Sequence, residues 1–260
     1  MASAAQSGAA FLQQYYEQRP LELDNERFVT LHEGFLRELS TIDGAADHLD
    51  AAERTRYRDL CSRCHKRYLA IKEAQVNKHL LAIAREAETS TGENLTGLGR
   101  KIYDRVEDLR TLVDFRDCQS AVVVGCGAFP ATLLWLRDNF PAIRYVGLDI
   151  DPGCVKMAAE LVIALGFGNV QCTAFDGRNY DYSGIDFVYV ANHVVPKRAV
   201  LEHIARSPSV RQVVVREPTP LGELVAEAVR PNLPPVFVAD TAGSVGGMTN
   251  MSYDLLLRRV

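Results

Sequence analysis

A chain of 260 residues, 47% hydrophobic and 24% charged, carries enough apolar material for one large or two modest cores. Its net charge of −4, with no long basic run, argues against a nucleic-acid partner, whose phosphates demand a cationic surface. No apolar run reaches membrane-spanning length, and the first residues lack the basic and apolar regions of a secretory signal, so a cytoplasmic protein with no membrane partner and a small-molecule substrate is expected.

From about Ala9 to Asp114 apolar residues recur at spacings of three and four, as at Phe28, Leu31, Phe35, Leu36 and Leu39, which predicts helices. Breaks fall at Pro20, at Ser40 to Gly44 and at Ser90 to Gly92, and a further helix is expected through Lys101 to Leu112. Residues 1–117 are therefore expected to form a small all-helical domain or lid. Tyr15, Tyr16, Phe28 and Phe35 would supply either its core or a subunit contact, the latter making a homodimer.

Six cysteines in a chain of this length are sparse and suit thiols in a reducing compartment. Cys61-Ser62-Arg63-Cys64-His65 spells the haem-attachment string C-x-x-C-H. However, Cys61, Cys64 and Tyr68 also fall at helical spacing within a pattern running from Arg54 to Arg85, which places them on a core-facing stripe. No second Cys/His pair stands at zinc-site spacing, so no metal is expected.

After Cys118 the pattern alternates between strands and helices. Strands are predicted at Ala121–Val124, Tyr145–Asp149, Val170–Ala174, Phe187–Ala191 and Val210–Val215. Helices are predicted at Pro130–Asp138, Gly153–Leu165, Lys197–Ala205 and Leu221–Val229, with closing strands at Phe237–Ala239 and Tyr253–Leu257. Residues 118–260 thus predict an α/β fold, a Rossmann-like doubly wound sheet. Gly243 to Gly247 is expected to be a flexible loop.

In such sheets the ligand lies beyond the carboxyl ends of the strands. The first strand runs into Gly125-Cys126-Gly127-Ala128-Phe129-Pro130, where two glycines allow a sharp turn close to a ligand and Pro130 suits a helix start. The third glycine of a dinucleotide fingerprint is missing, which weakens a pyrophosphate reading. Asp149 ends the second strand 22 residues after Gly127, where a carboxylate accepts from ribose hydroxyls. Asp151 suits a helix N-cap. Asp176 could accept from an adenine amino group or serve the Asp176-Gly177 turn. Together they suggest a nucleoside without phosphates, S-adenosylmethionine (SAM), with Gly125, Gly127, Ala128, Asp149 and Asp176 in contact with it.

The strings "VGCGAFPATLL" and "GLDIDPGCVKMAAELV", followed by "VVPKRAVLEHI" and by "VVVR" ending at Arg216, resemble the nicotianamine synthase family and its bacterial relatives that make opine metallophores such as staphylopine. The likeness spans roughly Gln75 to Val229. Ordinary SAM methyltransferases carry an acidic residue two positions before the first glycine, where this chain has Val123.

The resemblance implies attack on the γ-carbon of SAM, release of methylthioadenosine and transfer of a 3-amino-3-carboxypropyl unit to an amine without a metal. Arg216 is the candidate for the substrate carboxylate. Tyr103 roughly matches a family tyrosine and could touch the sulfonium or the amine. Asn192 and His193 follow the fourth strand, at the reacting end of the ligand.

One departure stands out. The family carries a glutamate thought to deprotonate the acceptor amine, and the best pairing places Asn77 there, although a shifted register selects Glu73. Asparagine cannot take that proton. Either another carboxylate such as Glu217 serves an external acceptor, or the α-amine of SAM closes on its own γ-carbon to give azetidine-2-carboxylate, as in SAM-cyclising relatives of the family. Cyclisation is placed first and transfer to an amino-acid amine second, ahead of small-molecule methyl transfer and of a SAM-binding module without turnover.

Overall fold

A computed structural model describes residues 2–39, 51–86, 94–95, 97–220, 222–243 and 251–260. The breaks expected at Ser40 to Gly44 and Ser90 to Gly92, and the loop from Ser244 to Gly247, lie outside these.

The first part of the chain is helical, as its periodicity predicts: α1 (Ala2–Glu17), α2 (Asn25–Leu39), α3 (Ala51–Glu86), α4 (Gly97–Asp104) and α5 (Leu109–Leu112). Two separate cores hold these helices. Tyr15, Phe28, Phe35, Cys61, Cys64 and Tyr68 are buried together, with Leu224, Val225, Ala226 and Met251 from the far end of the chain, so the cysteine string is core packing. Tyr16 is the exposed member of the group expected there. Farther along, Leu80, Tyr103, Val106 and Leu109 join the core that lies under the sheet.

The 36-residue helix α3 is roughly 54 Å long and bridges the two cores. It packs on α1 and α2, with Lys72 still paired to Glu33 of α2, and on the helix that follows the second strand, where Asn77 donates to Met157 O.

The remaining elements are β1 (Ser120–Val124), α6 (Ala131–Asn139), β2 (Arg144–Asp149), α7 (Pro152–Ala164), β3 (Val170–Ala174), β4 (Phe187–Val190), α8 (Lys197–Ile204), β5 (Gln212–Pro218), β6 (Phe237–Ala242) and β7 (Ser252–Arg259). They form a seven-stranded sheet of order β3-β2-β1-β4-β5-β7-β6. Strands β1 to β5 are parallel, whereas β7 runs antiparallel between β5 and β6. Strands covered on both faces need continuous apolar runs, and the Val-rich β1 and β4 are buried along their whole length. Chain order reverses between β1 and β4, and a crevice opens at their carboxyl ends.

One predicted element is replaced. Instead of a helix over Leu221–Val229, the described residues contain a single 3₁₀ turn at Gly222–Leu224. The Glu217 carboxylate accepts from the backbone N–H groups of Val229 (3.1 Å) and Arg230 (2.9 Å), drawing the segment back onto β5. Gly222 is also pressed so closely on Met251 that a Cβ there would meet its carbonyl oxygen.

Candidate active site

Beyond the carboxyl ends of β1, β2 and β4 lies a cavity of about 430 Å³, walled on the sheet side by the β1–α6 turn and on the other by α3 and α4. Its size falls within the range of small-molecule sites.

The glycine turn forms its floor. Gly125 and Gly127 have positive φ, 79° and 69°, which favours glycine at both positions. A Cβ on Gly127 would stand 2.5 Å from Glu73 Oε2, so the lack of a side chain also admits the helix carboxylate. Asp149 organises this turn from the next strand: its Oδ2 accepts from Gly127 N at 2.9 Å and its Oδ1 from Asp151 N at 3.0 Å. Each oxygen keeps a lone pair for a ligand hydroxyl. Asp151 caps α7 by accepting from Gly153 N and Cys154 N, as expected.

Asp176 lies in the cavity wall but pairs with Arg178 at 2.6 Å, and this partner holds its carboxyl below the usual range. Several wall residues were not anticipated from sequence, Ile150 and Phe175 among them. Ile150 and Phe175 are 72% and 41% exposed beside Asp149, offering apolar faces to a planar base. Large apolar residues placed directly after the carboxyl ends of β2 and β3 are the signal that could have found them.

Glu73 is the principal carboxylate contributed by the helical layer. It is half-buried as a residue, and its carboxyl reaches the turn, where Oε2 accepts from Ala128 N at 3.2 Å. Burial pushes its pKa up to about 7. The Phe129 and Ala128 N–H groups and the Arg105 charge oppose that rise, and Asp149 adds to it. A carboxyl poised there is half ionised near neutral pH and can accept a proton.

Asn77 stands one helical turn further along α3, fully buried and outside the cavity wall. Its Nδ2 donates to Ala128 O at 2.7 Å and to Met157 O at 3.0 Å, pinning α3 to both the turn and α7. The place expected for a base at position 77 is therefore a structural clamp, and the shifted register puts Glu73 at the cavity. Asn77→Ala is expected to cost about 2 kcal/mol of stability by orphaning two carbonyls, read as a lower urea midpoint at unchanged m.

Four other expected contacts lie outside the wall. Ala128 is covered by α3, to which both its N–H and its carbonyl are bonded. Tyr103 turns away, donating to Asp138 Oδ2 at 2.6 Å, while Ile102 and Arg105 share the cavity-facing side. Arg216 is 1% exposed; its guanidinium donates to Ser252 Oγ at 3.0 Å and lies 3.2 Å from Asp254, so its fork is already engaged. Glu217 is buried and bound to the backbone at Val229 and Arg230, which leaves it no access to a substrate.

Asn192 and His193 do line the cavity. Burial, then the neighbouring His65 and the cations Lys197 and Arg105, hold the His193 pKa well below its ordinary value, so the ring is neutral at pH 7. Among the described residues no group of three His, Cys, Asp or Glu side chains could hold a metal ion, and no helix is long and apolar enough to cross a membrane.

The sheet, its crossovers and the crevice at the switch point define a Rossmann-like doubly wound fold, with helices covering the ligand side. Among solved structures, the nicotianamine synthase MtNAS in complex with MTA and tNA shares it end to end, with a TM-score of 0.78 at 20% identity, covering 98% of this chain and 97% of that one. A glutamate-to-glutamine mutant of MtNAS in complex with S-adenosylmethionine gives 0.72 at 20% identity over 96% and 97% of the two chains. No family model and no curated protein matches the sequence.

Proposed function

We propose that the protein is an enzyme that binds SAM across the glycine turn and uses an amine to displace methylthioadenosine from the γ-carbon of its methionine portion. The observation that carries this reading is Glu73: its carboxyl lines the cavity and accepts from Ala128 N in the turn that would hold the nucleoside, and burial there pushes its pKa up to about 7. Asp149 would take the ribose hydroxyls, and Ile150 and Phe175 would flank the adenine. The N–Cγ bond forms as the Cγ–S bond breaks, the electron pair goes to sulfur and cancels the sulfonium charge, and the amine proton passes to Glu73. A sulfonium activates all three neighbouring carbons, so the γ-carbon is selected by position. The two MtNAS complexes, one with MTA and tNA and one with SAM, support the reading through their shared fold.

Two amines fit. The first is the α-amine of SAM itself, giving azetidine-2-carboxylate. A cavity of about 430 Å³, toward the lower end of the roughly 300–1,000 Å³ usual for ligand sites, suits a single substrate. The argument that a missing base requires cyclisation no longer counts, because Glu73 supplies a candidate base. That same carboxyl favours the second reading, in which an external amino-acid ammonium must be deprotonated before it can attack.

Incubating the purified protein with SAM alone and resolving the products tests both. Methylthioadenosine with azetidine-2-carboxylate is the expected result. Turnover that begins only when histidine or another amino acid is added moves the reading to intermolecular transfer. S-adenosylhomocysteine, or bound but unchanged SAM, overturns γ-carbon chemistry.

A further inference from the structure

Arg105 follows α4 directly, where its backbone N–H still bonds to Lys101 O, and its side chain enters the cavity wall opposite the glycine turn. Among the described residues its side chain has no hydrogen bond and no ion pair, and its Nε is buried without a partner. A guanidinium cannot shed its charge to relieve this, since it stays protonated at any working pH.

The anion that most favours the Arg105 charge is committed elsewhere: Asp254 is paired with Arg216 at 3.2 Å and accepts from the Tyr189 hydroxyl at 2.9 Å. Arg216 lies near enough to disfavour a second cation, and it is matched by its own cross-strand partner, Asp254. Glu73 attracts Arg105 at longer range, but no ion pair joins them, and its carboxyl is bonded to the turn. Two further orphaned atoms belong to the same wall: Asn192 Oδ1 and His193 Nδ1 are buried without partners. A cation without a bonded anion, on the same wall as an unpartnered amide oxygen and an unpartnered nitrogen of a neutral imidazole, complements a group carrying both a carboxylate and an ammonium.

We infer that Arg105 is the receptor for the α-carboxylate of the substrate's amino-acid portion, with Asn192 and His193 on the same wall open to the neighbouring ammonium. The inference rests on SAM as the ligand and names the residue that selects SAM over nucleosides lacking the carboxylate. It also links binding to chemistry. Arg105 is one of the charges that restrain the rise in the Glu73 pKa, so a substrate carboxylate that neutralises Arg105 makes Glu73 the stronger base.

Calorimetric titration of the wild-type chain and of Arg105→Met with SAM, decarboxylated SAM and methylthioadenosine tests the assignment. The wild type is expected to prefer SAM over its decarboxylated analogue by about 10- to 100-fold, as one charge-assisted contact supplies. Arg105→Met is expected to lose that preference while binding methylthioadenosine as before. Arg105→Lys, which keeps the charge without the fork, is expected to fall between them and serves if the Met variant does not fold.

A Met variant that still prefers SAM overturns the assignment, as does one that loses methylthioadenosine affinity to the same degree, which would mark Arg105 as structural. A wild type that binds SAM and its decarboxylated analogue equally removes the carboxylate subsite but leaves the SAM reading standing. A wild type that binds none of the three removes both.

Discussion

Glu73→Gln is expected to slow methylthioadenosine release from SAM by roughly 10²- to 10⁴-fold, the usual worth of a positioned general base, with SAM affinity little changed. Glutamine keeps the size of the side chain, and its carbonyl can still accept from Ala128 N, so the turn is retained while the proton acceptor is lost. In the wild type, the limb of the pH–rate profile that reports this base should rise through about pH 7, where Glu73 ionises, and the variant should lack that limb. Stability should move the other way. The folded-state pKa lies above the unfolded one, so the contribution of Glu73 is fully present below about pH 4.5 and is lost as pH rises through about 7. Glu73→Gln removes this loss, so its thermal midpoint should match wild type near pH 4 and exceed it at pH 8. A variant that keeps wild-type turnover would show that the base lies elsewhere.

The uncertainty between positions 73 and 77 has a physical origin. They are four residues apart on one helix and so share a face. Both reach Ala128, Glu73 accepting from its N–H and Asn77 donating to its carbonyl. A sequence pattern locates that face but cannot decide which of two successive turns lies over the cavity, because the axial position of α3 is fixed by long-range bonds such as that from Asn77 to Met157 O, 80 residues away.

The strands and crossover helices were legible for the opposite reason. Their periodicity is local, and β1 to β5 with α6, α7 and α8 follow it to within a few residues. The glycine turn, Asp149 and the N-cap Asp151 were legible too, since each is defined by its place at a strand or helix end. Arg105 left no such mark: nothing local separates an arginine facing a cavity from the many on the surface, and only its lack of a partner in three dimensions singles it out.

Arg216 shows the same limit at the end of β5 and gives the largest expected effect on stability. In a parallel sheet the end of β5 would face the ligand crevice, which is why its arginine and glutamate were expected at the site. The antiparallel strand β7 instead places Asp254 directly opposite Arg216, 38 residues along the chain, and the two meet at 3.2 Å with 1% and 0% of their surfaces exposed. Tyr189 adds a donor to Asp254 at 2.9 Å, and the fully buried Lys197 fastens the Arg216 carbonyl at 2.8 Å.

Asp254→Ala strips the buried guanidinium of its carboxylate and orphans the Tyr189 hydroxyl, and is expected to cost about 3–5 kcal/mol, seen as a large drop in urea midpoint. Replacing both partners with apolar residues of similar volume, Arg216→Met with Asp254→Leu, is expected to recover most of that loss, because desolvation of the unpaired charge, more than the ion pair's own strength, sets the penalty. An additive double mutant would refute the pairing. A restored one that still binds SAM would place Arg216 in the scaffold beneath the cavity, as expected if the substrate carboxylate is held from the cavity wall, where Arg105 lies.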